Sequence, residues 1–181
     1  MSLTAKLIHY QFEAIHPFLD GNGRIGRLLI SLLLVNLNLL PLPLLYLSAY
    51  FEQHRNDYYD LLLAVSERGA WRGWIMFFLR GVADQARDAI IRSKRLQDLQ
   101  QEWRQRLQAT PRTSARLLRL VDEVFLSPAV TITQIQKMLG VTHRAANQMV
   151  ERLVREDILS PGPEQARNRQ FFAREILDIL G

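Results

Sequence analysis

Apolar residues recur at helical spacing through most of this chain of 181 residues. Side chains three or four positions apart lie on one face of a helix, so the pattern predicts mainly α structure. In the first part of the chain it predicts helices over residues 4–15, about 23–38, 48–65 and 71–107. The second of these is apolar almost all round, which predicts that it is buried at the centre of a helical domain.

The pattern changes near residue 110. The segment Thr110-Pro111-Arg112-Thr113 predicts a boundary between a helical domain at 1–109 and a second domain at 110–181. In the second domain, helices are predicted over 114–125, 133–139 and 142–156, with a turn at Gly140-Val141. Thr133 and Thr142 are the predicted N-caps of the last two, because a threonine hydroxyl accepts a hydrogen bond from a free first-turn N–H.

Two short apolar segments, 158–159 and 170–172, flank the turn Pro161-Gly162-Pro163 and predict a two-stranded wing, and a short helix over 173–180 closes the chain. The predicted fold class is therefore mainly α: a helical domain joined by a long helix to a winged helix-turn-helix domain.

The amino-acid composition excludes only a few classes of protein. Apolar residues make up 48% and charged residues 23%, as in ordinary globular proteins, and there is no cysteine for disulfides or thiolate metal sites. The apolar stretch 28–47 contains Asn36, Pro41 and Pro43, so we expect no membrane span, and the first residues lack the pattern of a signal peptide. We therefore expect a cytoplasmic protein. Its net charge of +5 is only mildly basic.

Candidate chemistry is concentrated in the string His16-Pro-Phe-Leu-Asp-Gly-Asn-Gly-Arg-Ile-Gly-Arg27, where one predicted helix ends and the next begins. Gly21 and Gly23 allow backbone shapes in which N–H groups converge on an anion. The N-terminus of the following helix adds free N–H groups and a positive dipole end. These features predict a phosphate site, although a loop with two glycines is more often only a turn.

The charged residues of the string fit the same chemistry. Arg24 and Arg27 are three apart and fork well onto phosphate oxygens. Asp20 offers the hard oxygen ligand that Mg²⁺ prefers, and His16 can hold or release a proton near neutral pH. A P-loop is excluded, because no Lys-Ser/Thr pair follows the glycines.

The string fills every specified position of the pattern H-x-F-x-(D/E)-G-N-G-R-x-x-R. The chain thus resembles the Fic (filamentation induced by cyclic AMP) family, of the AMP-transferring type with a C-terminal winged helix. The similarity continues through Tyr58-Tyr59, Trp71 and Trp74.

The resemblance implies transfer of AMP from ATP to a Tyr, Ser or Thr hydroxyl of a target protein, with release of pyrophosphate. His16 would be the catalytic base and Asp20 would hold Mg²⁺. The implied phosphate ligands are Gly21, Asn22, Gly23, Arg24 and Arg27, with Arg27 on the outer phosphate. Phe18 would be buried and anchor the loop. Tyr58 would contact adenine, or else simply pack in the core.

Gly23 favours AMP transfer over phosphorylation, because the Doc-type kinases of the superfamily have lysine there; other nucleotides stay open. His9, on the same helix face as His16, is expected to be a hydrogen-bonded structural residue. The inhibitory pattern (S/T)-x-x-x-E-(G/N) is not matched at Ser48 or at Ser160.

The motif begins at residue 16, whereas the resemblance implies several helices and a target-binding flap before it. We therefore expect a fragment or a shortened gene product that binds ATP weakly alone. We also expect self-association as a homo-oligomer, because the helix over 28–37 would expose apolar surface.

The winged helix has its own candidate contacts. Residues that could meet DNA are Arg144, Asn147, Gln148, Arg167 and Arg169. The other interpretation is a module for protein interaction or dimerisation. The alternative for the whole chain is then a DNA-binding regulator or interaction protein with a non-functional Fic remnant.

Overall fold

A computed structural model describes residues 4–39, 46–110, 113–163 and 169–180. The chain forms two compact units, Met1–Ile90 and Ile91–Gly181. Their division differs from the predicted boundary at 109/110, since it lies within a helix that runs from Trp71 to Ala109. The second unit begins before residue 110 because its core includes three residues of this helix, Leu99, Trp103 and Leu107.

The first unit is helical throughout the residues described. Its helices are α1 (Thr4–Ile15), α2 (Asn22–Asn36), α3 (Leu47–Gln53), α4 (Arg55–Arg68) and the first part of α5 (Trp71–Ala109). The single helix predicted over 48–65 is two helices that break at His54. Gly69 then ends α4 in the left-handed conformation, with φ 63°, where glycine carries no steric penalty.

Aromatic side chains dominate the core of this unit. Phe51 stacks on Tyr58 with ring centroids 5.1 Å apart, and Trp74 is fully buried beside them. Helix α2 contributes Ile30 and Leu34 to this core.

Helix α2 is buried on one side, and its other side exposes apolar surface, as the sequence predicts for residues 28–37. Ile30 is fully buried, but Leu28 is 58% exposed and Leu32 54%. Helix α2 packs against α1 and α3 on one side only, so its other face is open.

The second unit combines helices with a small sheet. Its further elements are α6 (Ala115–Leu126), β1 (Ala129–Thr131), α7 (Ile132–Leu139), α8 (His143–Arg155), β2 (Ser160–Pro161), β3 (Gln170–Phe172) and α9 (Arg174–Leu180). The strands are antiparallel in the order β1-β3-β2. Helices α7 and α8 are joined through a turn at Gly140, and the paired strands β2 and β3 follow them.

Two details of this unit differ from the predictions. Strand β1 was not predicted, because three residues are too short to show an alternating pattern. Strand β2 lies at 160–161 rather than at the predicted 158–159, because the N–H groups of Ile158 and Leu159 donate back to Leu153 O at the end of α8.

Side-chain caps set the helix starts in this unit. The hydroxyl of Thr142 accepts a hydrogen bond from Ala145 N–H and begins α8, as predicted. The predicted cap Thr133 is wrong: Thr131 caps α7 in a reciprocal capping box with Gln134. Pairing of β1 with β3 ends at Thr131, and this places Thr131 in the extended conformation of an N-cap.

Within the described ranges, no helix is both long enough and apolar enough to cross a membrane.

Candidate active site

His16 follows the last residue of α1 in an uncommon backbone conformation. Its φ is 50°, in the left-handed region that non-glycine residues rarely adopt. Its N–H donates to the carbonyl oxygen of Phe12 at 3.0 Å, and its imidazole is exposed. Such conformations cost free energy and often occur at functional sites. The chain thus turns sharply out of α1 and leaves the His16 ring accessible.

The Asn22 side chain fixes the loop that follows. Its Oδ1 accepts from Phe18 N–H at 2.9 Å, and its Nδ2 donates to Phe18 O at 2.6 Å. Asn22 itself is only 2% exposed. The prediction that Phe18 is buried is wrong, since its side chain is 48% exposed. The loop is therefore anchored through the Phe18 backbone, because the Asn22 amide satisfies both of its polar groups.

Gly21 and Gly23 leave the start of α2 without side chains at two positions. Gly21 is the N-cap with φ 84° and provides no side-chain cap, so the first-turn N–H groups remain available to an anion. A Cβ on Gly21 would lie 3.5 Å from Nη2 of Arg24, and one on Gly23 would lie 3.3 Å from Nη1 of Arg27. Both guanidinium groups therefore lie against the loop at positions without a side chain.

Asp20 lies at the outer edge of this loop. Its Oδ1 accepts from Gly21 N–H at 2.6 Å, and its Oδ2 lies 3.2 Å from Nη2 of Arg24. Both side chains of the ion pair are well exposed, so the pair adds little stability and can open. Among the described residues there is no cluster of three or more His, Asp or Glu that could enclose a metal ion. A single accessible carboxylate still suits Mg²⁺, which is commonly held by one or two carboxylates and substrate phosphates.

His9 of α1 forms buried hydrogen bonds to one residue of α2 and one of α4. His9 is fully buried and its Nδ1 lies 3.0 Å from Gly26 O, an acceptor, so Nδ1 carries the hydrogen. The Nε2 atom of this tautomer accepts from the Tyr58 hydroxyl at 3.0 Å. The prediction that His9 is a hydrogen-bonded structural residue is confirmed. Tyr58 is 3% exposed, which is the core-packing role weighed as the alternative to adenine contact.

Burial shifts the acidity of this group of side chains. Desolvation lowers the pKa of His9 to about 4, against the effect of its hydrogen bond to Gly26. Desolvation also raises the pKa of Tyr58, with the nearby Glu13 carboxylate adding to the effect. Both residues are therefore neutral at physiological pH.

Glu13 lies near Arg27, His16 and Tyr58 and was not singled out from the sequence. Burial raises the pKa of its carboxyl, while Arg27 and His16 nearby oppose that rise. The signal was present in the spacing, because Glu13 is four residues after His9 and lies on the same face of α1.

The second unit has the candidate DNA contacts on and beside α8. Arg144 and Gln148 are exposed, whereas Nδ2 of Asn147 donates to Glu151 at 2.6 Å. Arg169 lies 5.6 Å from the centre of the Phe171 ring. Arg167 lies outside the described residues.

Comparison with known proteins agrees with the motif. Residues 2–34 match the Fic/DOC family. Over 80 residues the chain is 40% identical to proteins named "Protein adenylyltransferase Fic" from Aedes aegypti, Culex quinquefasciatus and Drosophila yakuba. The aligned stretch covers 44% of this chain and 14% of each relative. The match to the Fic/DOC family lies in the region that contains α1, the His16–Arg27 loop and most of α2, and the chain spans only a small part of the length of these relatives.

Proposed function

We propose that this protein transfers AMP from ATP to a Tyr, Ser or Thr hydroxyl of a target protein. One observation carries the proposal: two guanidinium groups lie against a glycine loop at a helix N-terminus without a side-chain cap, and an exposed histidine, His16, precedes this loop in the same short segment. Positive charge, backbone donors and a proton acceptor then lie within one short segment. The family match and the names of the relatives agree with it.

The loop would bind the phosphates of ATP. Backbone N–H groups over Gly21–Gly23 would donate to phosphate oxygens, and Arg24 and Arg27 would neutralise them, with Arg27 on the outermost phosphate. Asp20 would hold Mg²⁺, which would supply charge neutralisation between phosphates. For Arg24 to reach a phosphate it must leave Asp20, which the exposure of that pair permits.

His16 would act on the target. The attacking hydroxyl oxygen forms a bond to the α-phosphorus, the bond from that phosphorus to the bridging oxygen breaks, and pyrophosphate leaves. The hydroxyl proton goes to the His16 imidazole. The exposure of His16 suits this role, because a target hydroxyl can reach its ring from solvent.

Gly23 favours transfer of AMP over transfer of the terminal phosphate. A Cβ on Gly23 would lie 3.3 Å from Nη1 of Arg27, so a longer side chain there would displace that guanidinium. The triphosphate can then lie along the loop with its outer end at Arg27.

The test compares ATP labelled at the α- and γ-phosphates, using the full-length gene product, Mg²⁺ and a cell extract as the source of targets. We expect covalent protein label from the α-position alone. His16→Ala should reduce labelling by roughly 10²–10⁴-fold, the usual contribution of a positioned general base, and should leave ATP affinity nearly unchanged. Label from the γ-position, or near-normal transfer by His16→Ala, would contradict the proposal.

A second candidate function concerns the second unit alone. Exposed Arg144 and Gln148 on α8 favour duplex DNA as its partner. Affinity should then fall steeply with salt, and Arg144→Ala and Arg167→Ala should each weaken it. Because Asn147 is paired with Glu151, it must exchange that partner before it can contact a base. No duplex binding at low salt would favour the protein-interaction interpretation.

A further inference from the structure

A groove of about 680 Å³ lies between α4 and α5 in the first unit, and none of the residues that line it belongs to the His16–Arg27 loop. The floor of this α4–α5 groove is apolar. Phe77 is 7% exposed there, whereas Met76 is 45% exposed. A Cβ on Gly73 would lie 2.9 Å from Cδ2 of Leu61, so the missing side chain lets Leu61 lie close against α5. The two helices therefore leave accessible apolar surface between them.

The two sides of the α4–α5 groove carry opposite charges. Asp57 and Asp60 lie on the α4 side, and Arg72 and Arg80 lie on the α5 side. All four side chains are exposed, and within the described ranges none of them forms a salt bridge. The acidic and basic groups thus face the groove without pairing across it, and both remain accessible to a molecule bound there.

Charged residues just outside the groove pair with one another instead. On α5, Asp84 is four residues after Arg80, the spacing at which helical ion pairs form, but its carboxylate lies 2.8 Å from Nη1 of Arg87. At the start of α4, Nη1 of Arg55 lies 3.8 Å from the carboxylate of Glu52. The neighbouring pairs therefore do not neutralise the charges that line the groove.

We propose that the α4–α5 groove binds an amphipathic helix of a partner protein. Acidic side chains of that helix face Arg72 and Arg80, a basic side chain faces the two aspartates, and an apolar residue between them contacts Met76. The side chains of one helix pack into the groove between others, and apolar grooves of this kind bind amphipathic helices. Methionine suits the floor of such a site, because its flexible side chain adapts to the partner.

The spacing of the arginines defines the partner further. Arg72 and Arg80 are eight residues apart, which is about 12 Å along α5. Two acidic residues about two helical turns apart in the partner match that distance. This inference depends neither on AMP transfer nor on binding of DNA.

The first experiment uses the whole chain with isotope-labelled methionine methyl groups, observed by NMR. The probe is an alanine-rich helical peptide with two leucines on one face, two glutamates about two turns apart on one side of them and a lysine on the other. The signal of Met76 should shift and saturate as this charged peptide is added. Met138 and Met149, which lie in the second unit, are internal controls and should not shift.

A control peptide with glutamine at the three charged positions tests the role of charge. It should bind roughly threefold or more weakly, because each lost ion pair is exposed and contributes modestly. Equal affinity for the two peptides, or no shift of Met76 with the charged peptide, would overturn the proposal.

Variants then locate the contact. Arg72→Gln combined with Arg80→Gln should weaken the charged peptide roughly threefold to tenfold and leave the glutamine peptide unchanged. Met76→Ser should weaken both peptides roughly fivefold or more, as loss of a central apolar contact does. Arg68→Gln, at an exposed position on α4 outside the groove, is the matched control and should change neither. Thermal unfolding of each variant should match the wild type, because the substituted side chains are exposed.

Two further outcomes would overturn the proposal. Undiminished binding of the charged peptide by the Arg72→Gln, Arg80→Gln protein would place that peptide elsewhere. A Met76 signal that moves on dilution without any peptide would assign the groove to a second copy of this chain. The dilution series uses the protein with Leu28→Glu and Leu32→Glu, so that association through the exposed face of α2 does not contribute.

Discussion

At the scale of single residues, His9 and Glu13 lie on one face of α1, and burial favours the neutral form of each. For His9, the pKa is about 4 in the folded protein and 6.5 when unfolded. The unfolded chain therefore binds the proton first as the pH falls, so the stabilising contribution is complete above pH 6.5 and is lost between about 6.5 and 4. At about 1.4 kcal/mol per pKa unit, the loss is about 3 kcal/mol.

Chemical denaturation between pH 7 and pH 4 should show this loss. His9→Gln should be less stable at neutral pH but should have a shallower pH dependence. The same series on His143→Gln, an exposed histidine in α8, is the control. An equal slope in the wild-type protein and His9→Gln would contradict the assignment of a buried, neutral His9.

Gly23 offers a second test at this scale. A Cβ there approaches Nη1 of Arg27 to 3.3 Å, so Gly23→Ala should displace the guanidinium. Alanine favours a helix over glycine by up to about 1 kcal/mol, so stability should be kept or slightly raised. We expect weaker ATP binding together with an unchanged or higher melting temperature. Unaltered affinity would show that Arg27 does not depend on the missing side chain.

The sequence predicted only some of the interactions that these side chains make. The motif predicted the residues of the loop, and His9 was expected to be a hydrogen-bonded structural residue. Neither inference could show that Asn22 uses its amide on the Phe18 backbone, because that depends on how the loop closes. The exposure of Phe18 was missed for the same reason.

At the scale of elements, two threonines at the start of α7 have different roles: Thr131 is the N-cap, and Thr133 lies in the first turn. Thr131→Ala removes the hydroxyl that accepts from Gln134 N–H and should destabilise the second unit by about 1 kcal/mol. Thr133→Ala, at an exposed position within the first turn, is the matched control and should change stability less. Thermal unfolding of both variants checks this, and the reverse order would contradict the observed capping box.

The sequence predicted the presence of these helices better than their first and last residues. Periodicity placed α1, α5 and α8 correctly because each has a long apolar stripe. It could not separate α3 from α4, since the break at His54 has neither proline nor glycine to mark it.

At the scale of the whole molecule, α2 exposes an apolar stripe. Ile25, Leu28 and Leu32 are spaced three and four residues apart and are 39%, 58% and 54% exposed. Because apolar surface of this kind promotes association, we expect concentration-dependent oligomers in sedimentation. Changing Leu28 and Leu32 together to Glu should yield monomers without loss of helix content. Leu126→Glu, at an exposed position in the second unit, should not, and a monomeric wild-type protein would contradict the expectation.

The placement of Leu99, Trp103 and Leu107 in the second core has a consequence for gene dissection. A fragment encoding 110–181 would lack these three side chains and should be unfolded in far-UV circular dichroism, whereas 91–181 should fold. A cooperative transition in the shorter fragment would contradict this. Any recombination or fusion that transplants the C-terminal module must therefore carry residues 91–109 with it, so the natural breakpoint for exchange lies inside a continuous helix rather than at the proline after it.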